Sequence, residues 1–314
     1  MNALQQQISH LSDVHEPHFP SRLAYRIGGL TFGLAADGQL RLALDRELLD
    51  FSVEQAALQG QPYDVTLRVA WVDSLQTPSS TPLFHSGGLW SLYAEPNGHR
   101  FSFLSPLLGM TPYKEAWLDP EFRYGRVLLS RRYFDTCAPV YPLEYPLDEL
   151  LMIHRLSRGA GVEVHAAGIA DDTGRGRLFL GHSGAGKSTT ARLWLSRPGV
   201  KVLSDDRIVL RASEGRIFMH GTPWHGDAGI ASPDSASLSA VYLLSHGQSN
   251  ERVPLSPGRA AAELFARTFV THHSEEGIRF TLDFLDRVAR EVPCFLFRFV
   301  PDPSAVGAIC CAEA

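Results

Sequence analysis

Gly181-His182-Ser183-Gly184-Ala185-Gly186-Lys187-Ser188 follows a short apolar run, 177–180, and precedes a stretch with helix-forming composition, 188–196. The octapeptide fits the pattern GxxxxGK[ST], and the pattern carries weight here because it sits between a strand and a helix. Glycines at these places let backbone N–H groups turn toward a polyphosphate with no Cβ in the way, and the helix N-terminus adds its partial positive charge. Lys187 then reaches the β and γ oxygens, and the Ser188 hydroxyl is a ligand for Mg²⁺. Gly181, His182, Ser183, Gly184, Ala185, Gly186, Lys187, Ser188 and Thr189 are therefore the predicted nucleotide contacts. The bland alternative is a glycine turn ahead of an ordinary helix. Against it stands the scarcity of lysine: Lys114, Lys187 and Lys201 are the whole complement, so one of three falls at the motif's lysine position.

Working outward, the residues around this loop alternate between strand and helix patterns. Strands are expected near 162–169, 177–181, 201–204, 207–211, 216–220 and 238–244, with a helix at 187–196. A further helix starts after Ser256 with Pro257 at its first position. Another runs from about Ile278 to Glu291, with Leu282, Phe284, Leu285 and Val288 supplying apolar surface, and 294–300 reads as a buried strand. Interleaved strands and helices make an α/β sheet domain the expected architecture.

Residues 20–145 differ in kind. Segments such as LAYRIGGLTFGLA, YDVTLRVAWV, LWSLYAE and RFSFLSP alternate apolar and polar residues between Gly, Pro, Asp and Asn, as short strands do. Within them 51–60 reads as a short helix. Leu147, Leu150, Leu151 and His154 then share one helical face, with Asp148 and Glu149 in the first turn and Gly159 as a stop. The junction is placed at this helix, giving a β-rich domain over 1–145 and an α/β domain over 146–314.

Composition narrows the function classes. The 314 residues are 44% hydrophobic, with 29 basic against 34 acidic side chains and a net charge of −5. That balance gives no overall footprint for nucleic acid or for an anionic membrane. Cys137, Cys294, Cys310 and Cys311 lack metal-ligand spacing, which suits a reducing cytoplasm. Residues 1–20 lack a basic start followed by an apolar stretch, and no run of about 18 apolar residues occurs, so neither secretion nor membrane insertion is expected.

Two further elements accompany the loop. Asp205 and Asp206 lie between the apolar runs 202–203 and 208–210, with Asp205 18 residues after Lys187. Adjacent carboxylates at a sheet edge divide labour: one holds Mg²⁺ while the other takes a proton from an attacking hydroxyl. A solvated Asp-Asp turn is the plain alternative. His165, on the strand before the loop's strand, fits a metal ligand, a phosphate contact, a proton carrier or a satisfied core histidine.

His165, the GHSGAGKS loop and the Ser204-Asp205-Asp206-Arg207 segment together resemble, in order and spacing, the HPr kinase/phosphorylase group. That P-loop fold is also similar to ATP-dependent phosphoenolpyruvate carboxykinase. The resemblance covers roughly 160–211. It implies a mixed sheet rather than a parallel one, ATP and Mg²⁺ as ligands, Asp205 as the base on a serine hydroxyl, Asp206 as a Mg²⁺ ligand and His165 as a member of the reaction centre. Downstream, Gly221-Thr222-Pro223-Trp224-His225-Gly226-Asp227 replaces the glycine-rich segment of an HPr kinase, which argues against HPr as the acceptor. It resembles instead the kinase-like proteins that phosphorylate a peptide serine. Trp224 and His225 either touch substrate or plug a tight turn.

The reading that results is an ATP- and Mg²⁺-dependent kinase acting on a serine of a peptide or protein, or on a small-molecule hydroxyl. Self-association is expected, and neither nucleic acid nor membrane is a predicted partner. The competing readings are a nucleotide-gated binding module without transfer and an ATPase or carboxykinase-like enzyme. Arg207, Arg211 and Arg252 are candidates to neutralise phosphate.

Overall fold

The computed structural model describes residues 22–54 and 62–313. The reading of residues 1–20 lies outside the described residues, as does 55–60 of the helix expected over 51–60; the described part is not helical beyond Phe51, where a 3-10 turn that starts at Arg46 ends. The chain divides into two compact units, one of 30–155 with the residues up to 26, the other of 156–314 with 27–29.

The first unit is built on one eight-stranded sheet. Its strands are β1 (Arg22–Ile27), β2 (Leu30–Ala36), β3 (Val65–Val72), β4 (Phe84–His85), β5 (Trp90–Glu95), β6 (Gly98–Ser105), β7 (Gly109–Leu118) and β8 (Tyr124–Ser130), in the order β1-β2-β3-β8-β7-β6-β5-β4. β2, β3 and β8 run parallel, whereas β4 to β8 pair antiparallel along the path β4-β5-β6-β7-β8. In β3, Val65, Leu67 and Val69 recur every second residue and are fully buried, which marks one face of the sheet as core. Helix α1 (Leu147–Arg155) buries Leu147, Leu150, Leu151 and His154 as one stripe, and the chain leaves it through Gly159 at φ 89°. The first compact unit ends with this helix, at Arg155.

The second unit is α/β with a mixed sheet. Its elements in chain order are β9 (Val162–Ala170), β10 (Arg175–Leu180), α2 (Lys187–Leu195), β11 (Lys201–Ser204), β12 (Arg207–Ser213), β13 (Arg216–His220), β14 (Ser235–His246), β15 (Glu251–Pro254), α3 (Pro257–Phe265), β16 (Thr268–Phe269), α4 (Glu275–Glu291), β17 (Cys294–Phe299) and α5 (Ser304–Glu313). β10 lies parallel to β14, and β14 parallel to β17, while β9 is antiparallel to β10, β11, β12 and β16. The pairings β10–β9–β12–β13–β14–β10 close on themselves.

The strands here read as continuous apolar runs because helices cover both faces of the sheet. In β10, Leu178 and Leu180 enter the core with Leu264 of α3 and Leu285 and Val288 of α4. Phe179, between them, points the other way to Trp194 of α2 and Ile309 of α5. The sheet therefore presents the residues after Leu180 at an edge between two helical layers.

Three sequence expectations are corrected. α4 begins at Glu275, not Ile278, because the Ser274 hydroxyl accepts the Gly277 N–H and Glu275 and Glu276 occupy the first turn. Leu282 is 48% exposed and adds nothing to the apolar stripe of α4, which runs through Phe284, Leu285 and Val288. α5 and the short β15 and β16 were not expected at all. Among the described residues, no helix is long and apolar enough to cross a membrane. All four thiols are free.

Candidate functional site

β10 ends at Leu180 and α2 starts at Lys187, so the glycine loop spans the turn from sheet to helix. The turn needs glycine at 186, where φ is 100° and a Cβ would stand 2.7 Å from the Phe299 ring. His182, Ser183 and Gly184 are exposed, Ala185 is buried, and Thr189 is half-buried on the first turn of α2. His246 Nε2, stacked on Phe299, lies 3.1 Å from the Gly184 carbonyl oxygen at the end of β14. Sequence reading missed this contact, because 62 residues separate the partners.

Lys187 is buried and curls back over its own loop. Its Nζ donates to the carbonyl oxygens of Gly181 at 2.9 Å and His182 at 3.3 Å. Burial pushes its pKa down. The charges of Asp206 and Asp205 oppose that shift, those of Arg267 and Arg207 add to it, and the net result lies below the ordinary lysine value. Among the described residues its hydrogen bonds go only to neutral carbonyls, which compensate a desolvated ammonium less well than an anionic partner would.

The two acids face different partners because of the turn that carries them. β11 ends at Ser204 and β12 begins at Arg207, and the Ser204 Oγ accepts the N–H of Asp206 at 3.1 Å and of Arg207 at 3.2 Å while donating to the Trp224 carbonyl at 2.8 Å. Asp205 then points to the loop and α2. Its Oδ2 accepts the Ser188 hydroxyl at 2.8 Å and the Ala228 N–H at 2.9 Å, and its Oδ1 accepts the Gly226 N–H at 2.9 Å. The structure thus pairs Ser188 with Asp205 and not with Asp206.

Asp206 turns instead to β9. Its Oδ1 lies 2.9 Å from His165 Nε2, and its Oδ2 is bound by Arg207. Burial alone would raise this carboxyl, but the His165 hydrogen bond and the charges of Arg207, His165 and Lys187 outweigh it and hold the pKa below the ordinary value. His165 sits opposite Arg207 in the β9–β12 register. Arg207 reaches on to Glu163, at 3.6 Å, and lies over the Phe269 ring. Of the three arginines considered for phosphate, Arg207 is at the site; Arg211 bonds the Ala160 carbonyl and Arg252 packs on Phe295.

The segment 221–227 contributes through its backbone. Besides the two N–H groups on Asp205, Arg192 of α2 donates to the Asp227 carbonyl at 2.7 Å. A Cβ at Gly226 would stand 2.9 Å from Asp205 Oδ2, so only glycine lets the chain approach this closely. His225 is exposed and Trp224 half-buried. The clamp of Gly226 and Ala228 on Asp205 was not predicted. Its one sequence signal is the glycine at 226.

Among the described residues, no group of three or more His, Cys, Asp or Glu is arranged to hold a metal by itself. The Ser188 hydroxyl and the carboxylates of Asp205 and Asp206 nevertheless fit Mg²⁺. They are hard oxygen donors, and this ion is commonly held by one or two carboxylates with waters and substrate phosphates.

No protein-family model matches the chain, and no curated protein does. Among solved structures, the chain is similar to the HPr(Ser) kinase/phosphatase from Coxiella burnetii at 14% identity and a TM-score of 0.30, over 48% of this chain and 95% of that one.

Proposed function

We propose that this protein is an ATP- and Mg²⁺-dependent kinase that transfers the γ-phosphoryl group to a hydroxyl, a serine of a peptide or protein or a small-molecule alcohol. The observation that carries this reading is the meeting of Lys187, Ser188, Asp205, Asp206 and His165 at the edge where β10 and β11 deliver their following loops.

Lys187 exchanges its two loop carbonyls for phosphate oxygens, which give it a hydrogen-bonded counter-charge. Ser188 and Asp205 would hold Mg²⁺, which when bound neutralises charge on the phosphates. This exchanges the roles that the resemblance assigns to the two acids, and the Ser188–Asp205 hydrogen bond is the reason. Asp206 and His165, 2.9 Å apart, receive the acceptor's proton. The bond from the γ-phosphorus to the ADP oxygen breaks as the bond to the acceptor oxygen forms. Arg207, bound to Asp206, holds that carboxylate in place.

Incubating the protein with ATP, Mg²⁺ and a library of serine peptides and simple alcohols, with transfer followed by mass spectrometry, tests the reading. Phosphorylated product is expected with wild type. With Asp206→Asn the rate should fall by roughly 10²- to 10⁴-fold, the range for general acid–base groups, while ATP still binds. ATP binding with no transfer to any acceptor or to the protein itself would instead mark a nucleotide-gated binding module.

A further inference from the structure

At the end of α2 remote from Lys187 lies a cavity of about 220 Å³, bordered by the β9–β10 turn, the residues after α2 and Cys310 of α5. Its volume is below the roughly 300–1,000 Å³ of pockets for drug-sized ligands and suits a small ion or metabolite. Trp194 lines it and is 1% exposed, and its Nε1–H is buried without a hydrogen-bond partner among the described residues. A buried N–H left unpaired is costly, so an acceptor atom brought to it from the cavity recovers stability that the described residues forgo.

The charges around that N–H favour an anionic acceptor. Arg177 lies over the Trp194 ring at 4.9 Å and is tied to Asp171 at 3.0 Å. Arg175 and Arg197 are exposed at the same cavity, and Arg197 has Cys310 Sγ, a weak acceptor, at 2.9 Å. Asp171 is already committed to Thr173, Arg175 and Arg177. Asp172 and the C-terminal end of the α2 dipole oppose an anion, but the three guanidinium groups exceed the two carboxylates by one charge. An oxyanion thus meets two arginines able to exchange partners and one donor that has none.

We infer that this cavity binds a small oxyanion, with the Trp194 indole N–H as the buried donor and Arg175 and Arg197 as the exposed ones. Phosphate and carboxylate share the required chemistry. The site is separate from the glycine loop, and the inference stands whether or not the protein is a kinase.

The test follows the indole N–H resonances of the full chain by ¹H–¹⁵N NMR during titration with inorganic phosphate and, separately, with acetate. The Trp194 resonance is the one missing from Trp194→Phe or, should that variant fail to fold, the one with Overhauser contacts to Phe179, its ring neighbour at 6.2 Å. The expected result is a saturable shift of this resonance, with an apparent Kd weakened at least about tenfold in Arg197→Ala and in Arg175→Ala, the equivalent of one charge-assisted hydrogen bond. A response to phosphate alone or acetate alone identifies the class of oxyanion. Three results would each overturn the inference: no shift with either anion, a shift unchanged in both arginine variants, or a shift abolished by Lys187→Ala, which would trace it to the glycine loop.

Discussion

Lys114 and Lys187 are both buried cations, one in each unit, and burial pushes both ammonium groups below the ordinary lysine value. Lys114, on β7, has a carboxylate: its Nζ lies 3.3 Å from Glu144 Oε1 and 3.3 Å from that residue's carbonyl oxygen, over the Phe103 ring. Among the described residues, Lys187 has hydrogen bonds only to two carbonyls of its own loop. The first arrangement is complete and serves the fold. In the second, a charge has been desolvated without a hydrogen-bonded counter-ion, a cost that makes sense where a ligand brings the counter-ion.

The largest expected effect follows from this difference. Lys187→Ala should weaken ATP binding by roughly a hundredfold, the equivalent of about 3 kcal/mol for a charge-assisted contact, with no loss of thermal stability. Calorimetric titration and a melting curve on the same sample check both halves. Lys114→Ala should do the reverse: ATP affinity unchanged, and stability lowered by about 2–4 kcal/mol through the lost packing of the lysine stem in the first unit. If Lys114→Ala weakened ATP binding as much as Lys187→Ala, the comparison would fail.

The smallest effect is in pH. A lysine held low in the native state is protonated more readily in the unfolded chain, so stability rises with pH between the native value and the ordinary 10.5. Denaturant unfolding of wild type and Lys187→Ala from pH 7 upward should show the wild type gaining on the variant as pH increases. Saturating ATP should abolish that gain, because a bound phosphate raises the native value. A gain that persists with ATP would mean that phosphate does not sit on Lys187.

The sequence made the loop legible because glycine, lysine and the strand-to-helix context all act over a few residues, and the apolar runs of β9, β10, β12 and β17 carry a strong local signal. What it did not reveal depends on distance or on weak patterning. Which of Asp205 and Asp206 meets Ser188 is decided by the Ser204 hydroxyl and by Gly226 and Ala228, more than 20 residues on. α5 opens with small residues, Ser304-Ala305-Val306-Gly307-Ala308, with no amphipathic period to announce a helix. Leu282 was assigned to the wrong face of α4 because a leucine in a helix is apolar wherever it points, and only the packed neighbours fix the stripe.

We propose that the lysine of the glycine loop and the Ser188–Asp205 pair form one site for a nucleotide phosphate with its metal. It is tested most directly by measuring ATP affinity with Mg²⁺ and with EDTA for wild type, Asp205→Asn and Asp206→Asn. Mg²⁺ should tighten ATP binding in wild type and in Asp206→Asn, and Asp205→Asn should lose most of this gain. A Mg²⁺ effect lost in Asp206→Asn and kept in Asp205→Asn would contradict it.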